Sequence, residues 1–115
     1  MRDVDERLRD VLEAIERIER RMMGGRQAFE SDELLQVWVL HHLQIIGEAC
    51  RTAPDELRQR QPEVPWARII GMRHVLVHHY FEIDADLVWS AVETELPALK
   101  TAVLAMLEEQ NHSDP

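Results

Sequence analysis

Val4, Leu8, Val11, Leu12, Ile15, Ile18 and Met22 recur at the three- and four-residue spacing of one helix face, with Asp, Glu and Arg between them. A strand cannot use this pattern, because its side chains change face at every residue. The spacing predicts a long amphipathic helix over roughly residues 2–23, ended by Gly24-Gly25. A helix with a single apolar stripe must bury it against other elements, so this segment alone points to helix-on-helix packing.

The remaining segments supply helical partners. Ser31 is a candidate cap for a second helix, with Asp32 and Glu33 suited to its first turn. Leu34, Leu35, Trp38, Leu40, Ile45, Ile46 and Ala49 give that helix an apolar face as far as about Arg51. Gly47 interrupts it, which costs stability unless a neighbouring helix packs closely there. Ala53-Pro54-Asp55 opens a polar linker with room for one helical turn, and Pro62 and Pro65 bracket its end. Pro65 suits the start of a third helix, expected from about Trp66 to His78. Phe81-Glu82-Ile83 is a short connection, and Asp84 is a good cap for a fourth helix through Leu87, Val88, Val92 and Leu96. Pro97 predicts a kink or break near Glu93 to Leu96 before apolar spacing resumes at Leu99, Val103, Leu104 and Leu107.

No stretch alternates with period two, so no strand is predicted. The expectation is an all-α, up-and-down bundle of four to five helices. It forms a single domain over residues 1–110, with a frayed tail at 111–115.

With 115 residues, the chain can bury a core without disulfide staples, and its one cysteine, Cys50, cannot form an internal disulfide. The opening residues lack the apolar stretch of a signal peptide, and no apolar run approaches the roughly 20 residues needed to span a bilayer. The expected location is therefore the cytoplasm. The net charge of −9 argues against a general nucleic-acid coat, though not against a small basic pocket. Lys100 is the only lysine; the other basic residues are arginines, whose planar fork suits phosphate or carboxylate.

One segment is chemically pointed: Arg73-His74-Val75-Leu76-Val77-His78-His79-Tyr80. Histidine can give or take a proton near neutral pH, and guanidinium can hold a phosphate and stabilise the charge that develops on it. In RNA the 2′-hydroxyl can act as internal nucleophile, so such a pair needs no metal. Arg73 and His78 stand about 140° apart on an ideal helix. Fraying near His78, or assembly of the site from two subunits, would resolve this. His74 and His78 share a face and could hold a metal, with His41, His42 and His79 as further imidazoles. No carboxylate or thiol stands at a matching spacing, so no metal is expected. Trp38, Trp66 and Trp89 could stack on bases, but each lies in an apolar helical pattern that favours core or dimer packing.

The run Val64-Pro65-Trp66-Ala67-Arg68-Ile69-Ile70-Gly71-Met72-Arg73, followed by His78 and Tyr80, resembles the HEPN superfamily and within it the HepT-like (DUF86) family. Ile45-Ile46-Gly47-Glu48-Ala49 is similar to that family's helix-two signature. Ile83-Asp84 through Val88-Trp89, then Leu96-Pro97, is similar to the segment after its motif of Arg, four residues, His, one residue, Tyr. The resemblance implies a HEPN-like helical bundle that works as a homodimer with a composite cleft. It further implies the toxin of a type VII toxin–antitoxin pair, a metal-independent endoribonuclease with Arg73 and His78 catalytic. The implied partner is an MntA-type minimal nucleotidyltransferase antitoxin, which silences the toxin by adding AMP from ATP to Tyr80. The sequence departs from close relatives at His74, commonly asparagine, and at His79, often small. His74, as the polar motif position, is expected to orient phosphate or share proton transfer. Glu48 is expected to support the site as a buried charge that orients Arg73 or His78 across the bundle through a structural ion pair, and Arg51 to be a solvated neighbour. The alternative is a non-catalytic module that serves the nucleotidyltransferase as docking partner or substrate.

Overall fold

The computed structural model describes the backbone of residues 3–75, 77–78 and 82–113, and the side chains of residues 3–72 and 83–109. The amphipathic first segment forms α1 (Val4–Arg21). Its start is fixed by Asp3, whose carboxylate accepts from the Glu6 amide at 2.8 Å, and Asp5 and Glu6 complement the helix dipole there. It ends before Gly24-Gly25, where Gly25 takes a left-handed φ of 89° that a side chain would strain. The chain then makes α2 (Gly25–Glu30), which inserts the fully buried Phe29 into the core.

The cap of α3 (Glu33–Thr52) is Asp32 and not Ser31. Asp32 accepts from the Leu35 amide at 3.1 Å. Ser31 is already engaged, its hydroxyl donating to the carbonyls of Gln27 and Ala28 at the end of α2. A carboxylate is also the stronger acceptor for an unpaired helix N–H. The polar linker contains α4 (Asp55–Gln59), which buries Leu57.

The next helix, α5 (Trp66–Val75), is shorter than the sequence predicts. Instead of running to His78, it stops at Val75, and β1 (Val77–His78) pairs antiparallel with β2 (Glu82–Ile83), Val77 opposite Ile83 and His78 opposite Glu82. The β-branched Val75 and Val77 favour extended backbone over helix. This two-residue ladder is the one departure from helix pairing among the described residues.

Asp84 caps α6 (Ala85–Thr94) as predicted, accepting from the Leu87 amide at 3.0 Å. The predicted break falls at Glu95, and α7 (Leu96–Ser113) carries Pro97 in its first turn, where the missing N–H costs nothing. The backbone of α7 continues through residues 111–113, into the segment expected to fray.

The long α3 is the hub: it packs against α1 and α5, and more lightly against α2 and α6, while α7 packs on α1 and α6. Ile15 and Ile18 of α1, Val39, Leu43 and Ile46 of α3, Ile69 of α5, Val88 of α6 and Leu99, Val103 and Met106 of α7 meet in one apolar core. Each such side chain contributes about 1.5–3 kcal/mol by leaving water. This is an all-α bundle, with the two short helices α2 and α4 added to the elements the apolar spacing predicts. No described helix is long and apolar enough to cross a membrane.

Candidate active site at the end of α5

The placement of α5 starts with Trp66. Its indole N–H lies 3.0 Å from the Arg58 carbonyl and 2.9 Å from that of Gln61, which ties the linker to the start of the helix. Trp66 shares a small apolar void with Ala49, Cys50 and Ala53. Further along, the carbonyls of Ile69 and Ile70 face Gly47: a Cβ there would stand 3.3 Å from the first and 3.7 Å from the second. As α5 advances from Trp66 to Ile70, its neighbours step back from Ala53, just past the end of α3, to Gly47 within it, so the two helices run antiparallel. Gly47 is the predicted close approach; without a side chain, it lets the backbone of α5 come close to α3. One more turn brings Arg73 about level with Leu43 of α3.

Arg73 and His74 occupy the last turn of α5, where a cation suits the negative end of the helix dipole. His78 stands on β1. The 140° separation expected on one continuous helix therefore does not arise, because the helix ends between the two residues. The side chains of Arg73, His74 and His78 lie outside the described residues, as do Tyr80 and His79 entirely.

The neighbouring residues of α3 make contacts of their own. Glu48, beside Gly47, forms a two-point ion pair with Arg51 on its own helix, at 2.5 and 3.1 Å. Both side chains are largely exposed, so Glu48 is not the buried charge that the sequence suggests, and its hydrogen bonds raise the Arg51 pKa. His42 is buried: its Nδ1 lies 2.9 Å from the Trp38 carbonyl and its ring is 4.0 Å from the Trp38 ring. Since a carbonyl only accepts, the Nδ1 of His42 carries the proton. Trp38 in turn lies under Arg21, at 5.5 Å, and Trp89 packs 5.8 Å from Phe29. All three tryptophans thus have packing partners. No group of three His, Cys, Asp or Glu suited to a metal occurs among the described residues. Cys50 is buried, and desolvation pushes its thiol up to about 12, so it is a neutral apolar filler and not a nucleophile.

Sequence reading misses one pair. Glu95, at the break between α6 and α7, is buried, yet its Oε1 accepts from Nη1 of Arg68 on α5 at 2.9 Å. The only sequence signal is an acid immediately ahead of Leu96-Pro97, and it does not disclose burial.

The void by Trp66, about 10 Å³, is too small for a substrate. Wider, shallow grooves of about 270 and 390 Å³ run between α1 and α3, past Asp10, His41, His42, Ile45 and Glu48.

Residues 11–106 match the family model described as ribonuclease HepT-like. Among similar proteins, "Putative RNase MJ1380" of Methanocaldococcus jannaschii is 37% identical over 103 residues, covering 89% of this chain and 94% of that one. "Probable ribonuclease HepT" of Thermococcus cleftensis is 38% identical over 96 residues, covering 81% and 86%. "Gamma-glutamylcyclotransferase and putative RNase MJ0434" of M. jannaschii is 35% identical over 109 residues, or 94% of this chain, which spans only 49% of that relative's length. No solved structure matches. With the family match running from α1 to α7, this chain belongs to the ribonuclease HepT-like family.

Proposed function

We propose that the chain is an RNA-cleaving toxin of a toxin–antitoxin pair, acting through Arg73 and His78 without a metal. The match to a ribonuclease family across residues 11–106, with Arg73, His78 and Tyr80 all present, carries this reading. In the proposed step His78 removes the proton of a ribose 2′-hydroxyl, and the 2′-oxygen bonds to phosphorus. The 5′-oxygen of the next nucleotide leaves with a proton from a second acid, for which His74 or the motif of a second subunit is available. Arg73 offsets the charge on the phosphoryl oxygens. Glu48, already paired with Arg51, supports the site by ordering the charge on α3.

The reading includes a homodimer with the two motifs in one cleft. Its support is a continuous face of α3: Leu34 is 82% exposed, Val37 50% and Ile45 37%, with exposed His41 between them. These residues at i, i+3, i+7 and i+11 form one stripe. Packed antiparallel on a second copy about a point near Val39 and Leu40, Leu34 meets Ile45 and Val37 meets His41, a self-complementary arrangement. The motif helix lies alongside α3, with Arg73 about one helical turn from that point. Ile45→Asp is expected to turn a dimer into a monomer in sedimentation velocity at micromolar concentration. A wild-type monomer, or an unchanged dimer in the variant, contradicts this interface.

The remaining part is an off-switch. An MntA-like nucleotidyltransferase antitoxin transfers AMP from ATP to the Tyr80 oxygen and releases pyrophosphate, placing bulk and negative charge where RNA phosphate must bind. Intact-mass measurement of the chain co-expressed with its partner is expected to show the mass of added AMP, lost in Tyr80→Phe. Tyr80→Phe is expected to stay toxic and to escape silencing; if that variant still gains AMP, the modified residue lies elsewhere.

A second reading, a docking module without RNase activity, is favoured by the net charge of −9, which repels RNA beyond contact range. Equal growth of cells expressing wild type and His78→Ala, at equal soluble expression, would select it.

A further inference from the structure

Two helices flank the hairpin that carries His78. Before it comes α5, with Arg73 in its last turn; after it comes α6. The β1–β2 ladder joins them at the motif end. At the other end, Arg68 near the start of α5 reaches Glu95, just past the end of α6. We propose that Arg68 and Glu95 are a positioning pair, a staple that sets the direction of α5 and thereby the placement of Arg73 relative to the His78 hairpin.

Three observations carry it. First, Glu95 is 10% exposed at its side chain while Arg68 is 70% exposed. A carboxylate loses much of its hydration in such a place, and a single well-placed guanidinium must offset that loss, so the pair resists separation. Second, the principal helix neighbour of α5 is α3; α6 and α7 make their main contacts with each other and with α1, α2 and α3. The ion pair therefore bridges α5 to the α6–α7 break where little backbone packing does so. Third, α3 is the one helix on which α5 packs extensively, with Ile69 and Ile70 facing Gly47. A helix packed on one neighbour can still pivot on that surface. A second tie fixes its axis, and Arg68 supplies that tie one residue from the first while pointing to a different element.

The break at Glu95 also has a role here. Because α6 ends at Thr94 and α7 begins at Leu96, the Glu95 side chain leaves the helix junction and not the middle of a regular face. Pro97 thus does more than interrupt a helix: it helps place the acceptor for the staple.

The inference bears on catalysis only through the proposed RNase reading, but its structural half can be tested separately. Amide exchange is to be followed at the ladder residues Val77, His78 and Ile83, with Ile15 and Ile18 in α1 as the reference for global opening. In Glu95→Gln the ladder amides are expected to exchange about tenfold faster or more while Ile15 and Ile18 stay within about threefold. Arg68→Lys, a change at an exposed position, keeps the charge and loses the planar fork; it is expected to fold and to give the same selectivity at a smaller size. In RNA cleavage both variants are expected to lower kcat with KM unchanged, because Arg73 is present but misplaced. Equal acceleration of ladder and core amides, or no acceleration at either, in Arg68→Lys and in any Glu95→Gln that folds, overturns the staple. If the wild-type chain cuts no RNA, the RNase reading falls and the exchange pattern still decides the staple.

Discussion

With His78 replaced by alanine, RNA cleavage is expected to slow by about 10²–10⁴-fold, the range that a positioned proton-transfer group contributes. The reason is chemical. A 2′-hydroxyl is a poor nucleophile until its proton is removed as the phosphorus bond forms, and imidazole is the side chain whose ordinary titration lies close to neutral pH. Arg73→Ala is expected to cost roughly 10²–10³-fold, as for other groups that stabilise developing charge. Arg73→Lys should recover only part of that, since an ammonium offers a point charge where the guanidinium offers a planar pair of donors. In cells, the wild-type chain expressed alone should slow growth and the His78→Ala chain should not. The control is thermal unfolding: activity must fall while the melting midpoint stays put. An active His78→Ala chain would remove His78 from the chemistry.

The second large effect is expected at Gly47, which has no side chain to take part in proton transfer. Its absent Cβ would already lie 3.3 Å from the Ile69 carbonyl oxygen. A leucine there must push α5 away from α3 or find an awkward rotamer, and overpacking of this kind costs about 1–3 kcal/mol or somewhat more. The helix that would move carries Arg73, so cleavage is expected to fall together with stability. Gly47→Ala is a finer probe. Alanine gains up to about 1 kcal/mol of helix propensity but meets the Ile69 carbonyl, so its net effect should be close to zero. Gly71 is the contrast: a Cβ there meets nothing within 4 Å. Gly71→Ala in α5 is accordingly expected to stabilise by roughly 0.5–1 kcal/mol. If Gly47→Leu melts like wild type and retains activity, the α3–α5 approach does not position the motif.

The features legible in the sequence are those with a local cause. The stripe from Val4 to Met22 gives α1 because a repeating apolar spacing defines a helix face without reference to anything distant. Asp84 and Pro97 mark a start and a break through hydrogen bonds within one turn. Gly47 is legible as a question, why glycine in a helix, and the backbone of α5 supplies the answer. Other features depend on what comes together from afar. The short α2 has Phe29 as its one buried residue, too little for a periodic signal. The end of α5 at Val75 is set by the pairing of Val77 and His78 with Ile83 and Glu82, and helical spacing alone carries the helix on to His78. Glu95 reads as an ordinary surface acid until α5 brings Arg68 against it.

The motif shows the same division. Arg73, His78 and Tyr80 are recognisable by type and spacing, and the blocks around them by their resemblance to one family. Their awkward rotation on a single helix disappears once the backbone is seen to leave the helix after Val75. The exposed stripe of Leu34, Val37, His41 and Ile45 has no such local signature, since apolar residues on α3 read equally well as core.

The central claim is that this chain cuts RNA with its own side chains and the substrate's own 2′-hydroxyl. The most direct measurement uses a short RNA that the purified protein cleaves, in excess chelator, beside the same RNA with a single 2′-deoxy nucleotide at the cut site. Cleavage is predicted to persist in chelator, to leave a 2′,3′-cyclic phosphate, and to vanish at the deoxy position. Loss of cleavage in chelator with recovery on adding a divalent metal, or cutting at the deoxy position, would contradict it.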